Sequence, residues 1–444
     1  MKQFYPGIVV LTMLMFWSGC SVNRPDPAPH KQQLAQFGQH RLPVEVHTVL
    51  TGLDVLEANH YAPLQGKTVA VVCNHTALDK QGNHIVDLLA NAPHVKLKVI
   101  FAPEHGYRGQ AEGGIALHDT LDAKSGAMVY SIYGKIRKPT PKMLAGIDMI
   151  VFDIQDVGAR FYTYITTMGN VMEAGAEQGI PVMILDRPNP ISGYTAGNVL
   201  DPAYRSFVGN YPIPIQHGLT VGELARMIQG EGWINAADRL QLHVVKLEGW
   251  TRDLFFNETD LNWVDPSPNM RNLNEALVYP GLCLLEPNTF SEGRGTKHPF
   301  EWVGAPYINS TAVAKALYAT GLKGFSVEPI TFVPQDMPGY AMNPKFEGET
   351  VNAIKIRVID PRSFEPVKFG VSLLVILKRL YPRDFKWRSP ASAARLWGSG
   401  QLVTMIAEGK TGQDIIDSYA KPLAAFIKLK QQYLLYSSSG SDHL

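Results

Sequence analysis

Carboxyl groups recur beside arginines and aromatic side chains in three short stretches of this chain. Glu104 lies in Pro103-Glu-His-Gly106, Asp153 and Asp156 flank Gln155, and Glu292 sits in Ser291-Glu-Gly-Arg-Gly-Thr296. Two carboxyl groups facing one bond are the equipment for glycoside hydrolysis. One is protonated and assists the leaving oxygen, and the other supports developing positive charge or positions water. Tyr107, Tyr162, Tyr164, Phe290 and Trp302 offer faces on which sugars stack, and the same rings serve equally as core. Each charged group also has a plainer use. Glu104 can cap a helix, Asp153 can accept loop amides, and Arg160 and Arg294 can pair with nearby acids.

Other chemistries find less support. The first strand-to-helix turn reads Asn74-His-Thr-Ala-Leu78, without the glycines that a dinucleotide pyrophosphate or a phosphate loop requires. Ser131 and Ser192 lack the tight elbow of a serine nucleophile. His75, His105, Asp153 and Asp156 can converge, but no pair has the i, i+4 spacing of a helical metal motif, so no metal is expected. A net charge of +1 gives no electrostatic case for nucleic acid.

The positioning elements follow from periodicity. Apolar, β-branched runs predict strands over 68–73, 97–102, 149–152 and 181–185, each ending in a polar cluster. Ile165, Met168, Met172, Gly175 and Ala176 recur at helical spacing, so 163–178 reads as a crossover helix. A further helix is expected near 84–90, and Thr220 with Glu223 forms a capping box for one over 221–229. Strands alternating with helices imply a doubly wound, mostly parallel α/β sheet, whose ligands bind beyond the carboxyl ends of the strands. Asp148 to Tyr164, a core strand running straight into charges and aromatics, is the expected floor of the site.

Residues 263–306, dense in Pro, Gly and Asn, read as functional loop. Beyond them come helices near 311–320, 370–381, 400–408 and 420–436 and strands near 329–333 and 353–359, read as a second, smaller α/β domain. The expected division is 44–265 and 266–436, with a polar tail over 437–444. Cys73 and Cys283 stand in apolar contexts and are expected to be buried free thiols.

The amino terminus reads as a targeting segment. Lys2, the apolar run 8–17 and Ser18-Gly-Cys20 make a signal peptide, too short to span a bilayer, which needs roughly 20 apolar residues. The placement of Cys20 resembles a bacterial lipobox, with Trp17 departing from its usual small aliphatic residue. That resemblance implies acylation of Cys20, a tether over 21–43, and, with Ser21 following, the outer membrane of a Gram-negative cell.

Taken in order, a longer set of stretches resembles the NamZ-type exo-β-N-acetylmuramidases, glycoside hydrolases acting on peptidoglycan fragments. They are Cys73-Asn-His-Thr-Ala77, Phe101-Ala-Pro-Glu-His-Gly-Tyr-Arg-Gly109, and 152–164 with its Asp-Ile-Gln-Asp-Val-Gly-Ala-Arg core. To these are added Asp186-Arg-Pro-Asn-Pro190, Ser206-Phe-Val-Gly209, 212–222, Pro266-Ser-Pro-Asn-Met270 and Ser291 to Thr296. Glu286-Pro-Asn-Thr289 departs from the Glu-Gly-Thr-Asn usual in the family, which leaves the role of Glu286 open.

The resemblance implies a Rossmann-like domain, a smaller C-terminal domain, a site in the cleft between them and no cofactor. It also implies release of terminal N-acetylmuramic acid from the non-reducing end of β-1,4-linked glycans, in cell-wall turnover or recycling. On that reading Glu104 is the general acid/base and Glu292 a second acid or substrate binder. Asp153 joins the catalytic set, with Asn74, His75, His105, Asp156 and Tyr162 orienting the sugar. Arg108, Arg160 and Arg294 are candidate readers of the lactyl carboxylate, since a guanidinium fork matches a carboxylate. A non-catalytic muropeptide-binding lipoprotein and a cell-wall amidase or acyl hydrolase are the alternative readings.

Overall fold

The computed structural model describes residues 45–108 and 119–439; the expected signal peptide, Cys20 and the tether lie outside them. In chain order the strands are β1 (Thr68–Cys73), β2 (Lys96–Ala102), β3 (Thr120–Leu121), β4 (Met128–Ser131), β5 (Met149–Asp153) and β6 (Val182–Leu185). They continue as β7 (Ala196–Val199), β8 (Pro214–Gln216), β9 (Leu242–Val245), β10 (Trp302–Ala305), β11 (Phe325–Phe332) and β12 (Val351–Val358).

The main sheet has the order β3-β4-β2-β1-β5-β6-β9 and is parallel except for β3 against β4. β1 and β5 are apolar and almost wholly buried because helices cover both faces of a parallel sheet. The chain leaves β1 for β2 on one side and reaches β5 on the other, so the strand order reverses beside β1. In such sheets that reversal opens a crevice at the carboxyl edge. The crossover helix Tyr164–Gln178 starts one residue later than expected and is stopped by Gly179 in the left-handed region, φ 67°.

The C-terminal part is built on an antiparallel sheet, β10-β12-β11, on which helices Leu273–Leu282 and Ser310–Tyr318 pack, and behind those two helices lies helix Pro366–Leu380. That helix begins four residues before the expected 370, with Pro366 in its first turn, where a missing N–H costs nothing. The helix expected to run to 436 ends at Lys430, and a short 3₁₀ turn follows. The stretch 263–306, read as loop, contains the helix Leu273–Leu282 and strand β10. Pro280 and Gly281 hide that helix in the sequence, although Asn272 caps it and its side chains from Glu275 on are buried.

Helix Leu273–Leu282 packs on helix Pro366–Leu380 through Gly281 and Gly370. A β-carbon on either glycine would collide with backbone of the other helix. One hydrophobic core runs without a break from Phe152 and Tyr162 through Tyr279 and Phe300 to Leu374, and from Val46 onward the described residues form one compact unit. Cys73 and Cys283 are both buried and free. Among the described residues no helix is long and apolar enough to cross a membrane.

Candidate active site

A cavity of about 600 Å³ opens between the carboxyl edge of the main sheet and the C-terminal part. Its size suits a sugar-sized ligand. One wall carries Glu104 and His105, placed just beyond β2. Pro103 ends the strand, and His105 and Gly106 follow in the left-handed region with φ 69° and 77°. The Gly106 N–H donates to the Pro103 carbonyl at 3.0 Å and closes this turn around Glu104. A left-handed histidine is an uncommon backbone state, retained here at the lip of the cavity.

Glu104 is half-buried, and the Thr163 hydroxyl donates to it at 3.1 Å. Tyr133 also faces Glu104, and burial together with that carboxyl pushes its phenol up to about 12. Tyr162 and Tyr164 are likewise pushed up, chiefly by burial, so these phenols keep their protons at neutral pH. The Tyr164 hydroxyl donates to the Pro266 carbonyl at 3.1 Å.

The opposite wall is a compensated set of charges. Arg294 donates through Nη2 and Nε to one oxygen of Glu286, at 2.6 and 3.1 Å, and its Nε lies 3.7 Å from Glu292. Both acids raise the Arg294 pKa against the opposing effect of burial. Lys345 Nζ donates to Glu292 at 2.7 Å and to the Phe290 and Leu285 carbonyls at 2.8 and 3.0 Å. The two walls are joined below by aromatic rings meeting edge to face. Tyr164, Tyr162, Tyr279 and Phe300 follow at centroid distances of 5.2, 6.1 and 4.8 Å, and Arg294 lies 5.3 Å above Phe300.

Of the residues singled out in the sequence, Glu104, His105, Tyr162, Glu292 and Arg294 line this cavity, and Glu286 joins them. The others are placed elsewhere. Asp153, the last residue of β5, is fully buried and ion-paired with Arg187, whose Nη2 donates to it at 2.9 Å. Asp156 accepts from the Gly158 N–H at 2.7 Å and lies 3.3 Å from His217. Asn74 accepts from the Thr76 amide and hydroxyl at 2.9 and 2.6 Å, which fixes the turn after β1. The His75 ring meets the Asp265 carbonyl at 2.6 Å.

Neither Arg108 nor Arg160 reaches the cavity as a carboxylate reader. Arg108 pairs with Asp87 and Asp122 at 3.2 and 3.6 Å. Arg160 is buried, which lowers its pKa to about 9, and it donates to the Asn198, Ile213 and Leu396 carbonyls at 2.6, 2.8 and 2.7 Å. The physical reason is common to all six. Crowded strand ends leave loop amides, carbonyls and buried charges that must find partners, and these side chains supply them. Of the five candidate stacking rings, only Tyr162 and Tyr164 reach the cavity. Tyr107 instead donates to Asp122 at 2.6 Å, Phe290 is core, and Trp302 stacks on His298 at 4.3 Å.

Sequence reasoning missed Tyr133, Thr163, Lys345 and Arg388. Thr163 was within reach, one residue before a helix and inside the singled-out stretch. Lys345 and Arg388 lie in stretches with no motif at all.

Two family models cover this architecture: the N-terminal model of exo-β-N-acetylmuramidase NamZ matches residues 69–274, and its C-terminal model matches 277–436. The chain belongs to the NamZ family. It is 43% identical over 389 residues to the peptidoglycan β-N-acetylmuramidase NamZ of Bacillus subtilis (strain 168), covering 87% of this chain and 91% of that relative. Two crystal structures of DUF1343 family proteins from Bacteroides fragilis NCTC 9343 are also similar. One superposes with a TM-score of 0.81 at 33% identity, the other with 0.71 at 30%, each covering 88% of this chain and 99% of its own. The two NamZ matches meet inside the helix Leu273–Leu282, which carries Tyr279 to the cavity.

Proposed function

We propose that this protein is an exo-acting β-N-acetylmuramidase. It releases N-acetylmuramic acid from the non-reducing end of β-1,4-linked peptidoglycan fragments. The observation that carries this reading is one cavity in which Glu104, held by Thr163 and approached by Tyr133, shares the space with the Glu292–Arg294 pair above a floor of tyrosines. Family membership supports it, and so does the named activity of the Bacillus subtilis relative.

Glu104 is the general acid/base. Hydroxyl hydrogens rotate, so Thr163 and Tyr133 can donate to its carboxylate and accept from its protonated form. That suits a group that changes protonation during turnover. Glu292, opposed by Lys345 and Arg294, positions the sugar, and His105 and Tyr162 line the same pocket. Replacing Glu104 by Gln keeps the shape and removes the transferable proton. The expected loss on a chromogenic β-N-acetylmuramide is about 10²–10⁴-fold in kcat, with the fold intact. Near-normal turnover by E104Q, or no muramic acid released by the wild type, overturns the assignment. The second outcome would favour a muropeptide-binding role.

We further propose that the chain is acylated on Cys20 and anchored to the outer membrane, facing the periplasm. Lys2, the apolar run 8–17 and Ser18-Gly-Cys20 support this. Cys20→Ala should move the protein from the membrane fraction to the soluble fraction; unchanged fractionation would refute the anchor.

A further inference from the structure

The cavity wall opposite Glu104 carries one cation more than it carries acids. Glu286 is matched by Arg294, and Glu292 by Lys345. The three ammonium hydrogens of Lys345 are all engaged, by Glu292 and two carbonyls. Arg294 has both of its neighbouring acids already drawn to it. Arg388 is different. It lines the same cavity, and among the described residues its guanidinium has no acid or carbonyl partner. Its backbone is nevertheless fixed. The Arg388 and Ser389 amides donate to the Pro287 carbonyl at 2.8 and 3.2 Å, and the Thr289 amide donates to the Lys386 carbonyl at 3.1 Å. This ladder ties Arg388 to the segment that follows Glu286. Arg388 also lines a neighbouring groove of about 490 Å³, with 343–345 forming the shared wall.

We propose that Arg388 is the specificity-determining residue that reads the lactyl carboxylate of the terminal muramic acid. The inference rests on the muramidase reading, because that carboxylate is what separates muramic acid from N-acetylglucosamine. A held backbone with an uncommitted guanidinium fork is suited to pairing a planar anion that arrives with the substrate. The position, at the edge shared by sugar cavity and groove, suits a substituent projecting from the ring. The cations proposed from sequence are each committed elsewhere, to acids or to carbonyls.

The test compares kcat/KM for a chromogenic β-N-acetylmuramide with that for its lactyl methyl ester, which keeps the shape and loses the charge. In the wild type the acid is expected to be the better substrate. Arg388→Ala should lower the acid-to-ester ratio by about 30-fold, the range expected for a lost charge-assisted pair, and Arg388→Lys should fall between. An unchanged ratio in R388A overturns the proposal, and so does an equal loss on both substrates. If the wild type cleaves neither compound, the muramidase reading fails. Calorimetry of N-acetylmuramic acid against N-acetylglucosamine then still decides Arg388: a preference for the acid erased in R388A upholds it, and a preference left unchanged refutes it.

Discussion

The Thr163 hydroxyl lies 3.1 Å from a carboxyl oxygen of Glu104 and so connects the loop beyond β2 to the start of the crossover helix beyond β5. Strand ends from either side of β1 thereby converge on one carboxyl group, which Tyr133 approaches from the end of β4.

That convergence has a kinetic signature. Thr163→Val and Tyr133→Phe should each lower kcat by about tenfold while KM stays within about twofold. Because both hydroxyls act on one group, the double variant should lose less than the product of the single losses. A double-mutant cycle on the chromogenic muramide measures this, and strict additivity would show that the two hydroxyls do not share Glu104.

Asp153 and Glu104 should separate cleanly by stability. Asp153→Ala leaves Arg187 buried without its partner and should cost about 3–5 kcal/mol of folding stability, read from urea denaturation. Glu104→Gln should leave the denaturation midpoint nearly unchanged and remove activity. A stable D153A protein with lost turnover would return Asp153 to the chemistry.

Helix contact through Gly281 and Gly370 admits no side chain. Gly370→Ala should destabilise by about 1–3 kcal/mol through overpacking, visible as a lowered thermal midpoint. An unchanged midpoint would mean that the two helices can separate freely.

Stability should also fall with rising pH for an identifiable reason. Burial, aided by Glu301, raises the Glu275 pKa from its ordinary 4.5 to about 8. Between those values the folded state holds a proton that the unfolded state has released. Glu275 therefore contributes fully below about pH 4.5, and its contribution is lost as pH rises through about 8. The slope is at most about 1.4 kcal/mol per pH unit. Glu275→Gln, which mimics the protonated form, should flatten it between pH 5 and 8 in denaturant titrations. A slope retained in E275Q would assign the effect to another group.

The four central strands of the sheet were legible because runs such as Thr68–Cys73 and Met149–Asp153 are apolar and β-branched, whereas β3, β4 and β9 are short and partly exposed and carry no such run. The site was only partly so, and Asp153 and Glu104 show why. Both are acids at the end of a core strand. Asp153 still belongs to the ladder, opposite Cys73, and its carboxylate is turned into Arg187. Glu104 stands two residues past its strand, behind Pro103, where a left-handed turn delivers it to the cavity. A single sequence does not distinguish an acid inside the register from one just outside it. Glu292 and Arg294 were found because Gly293 and Gly295 alternate with them in a short motif. Lys345 and Arg388 reach the same wall from distant segments, a juxtaposition that only tertiary structure creates.

Arg160 was expected to grip substrate and instead grips the protein. Its guanidinium binds carbonyls of both parts of the molecule, Asn198 and Ile213 beside β8 and Leu396 in the helix Pro390–Trp397. Swinging the walls apart like a clamshell would strand that charge in a dry interior, at a cost of several kcal/mol. The jaws are riveted. An entering glycan therefore meets two parts already pinned together at Arg160, with no hinge at that point on which to swing.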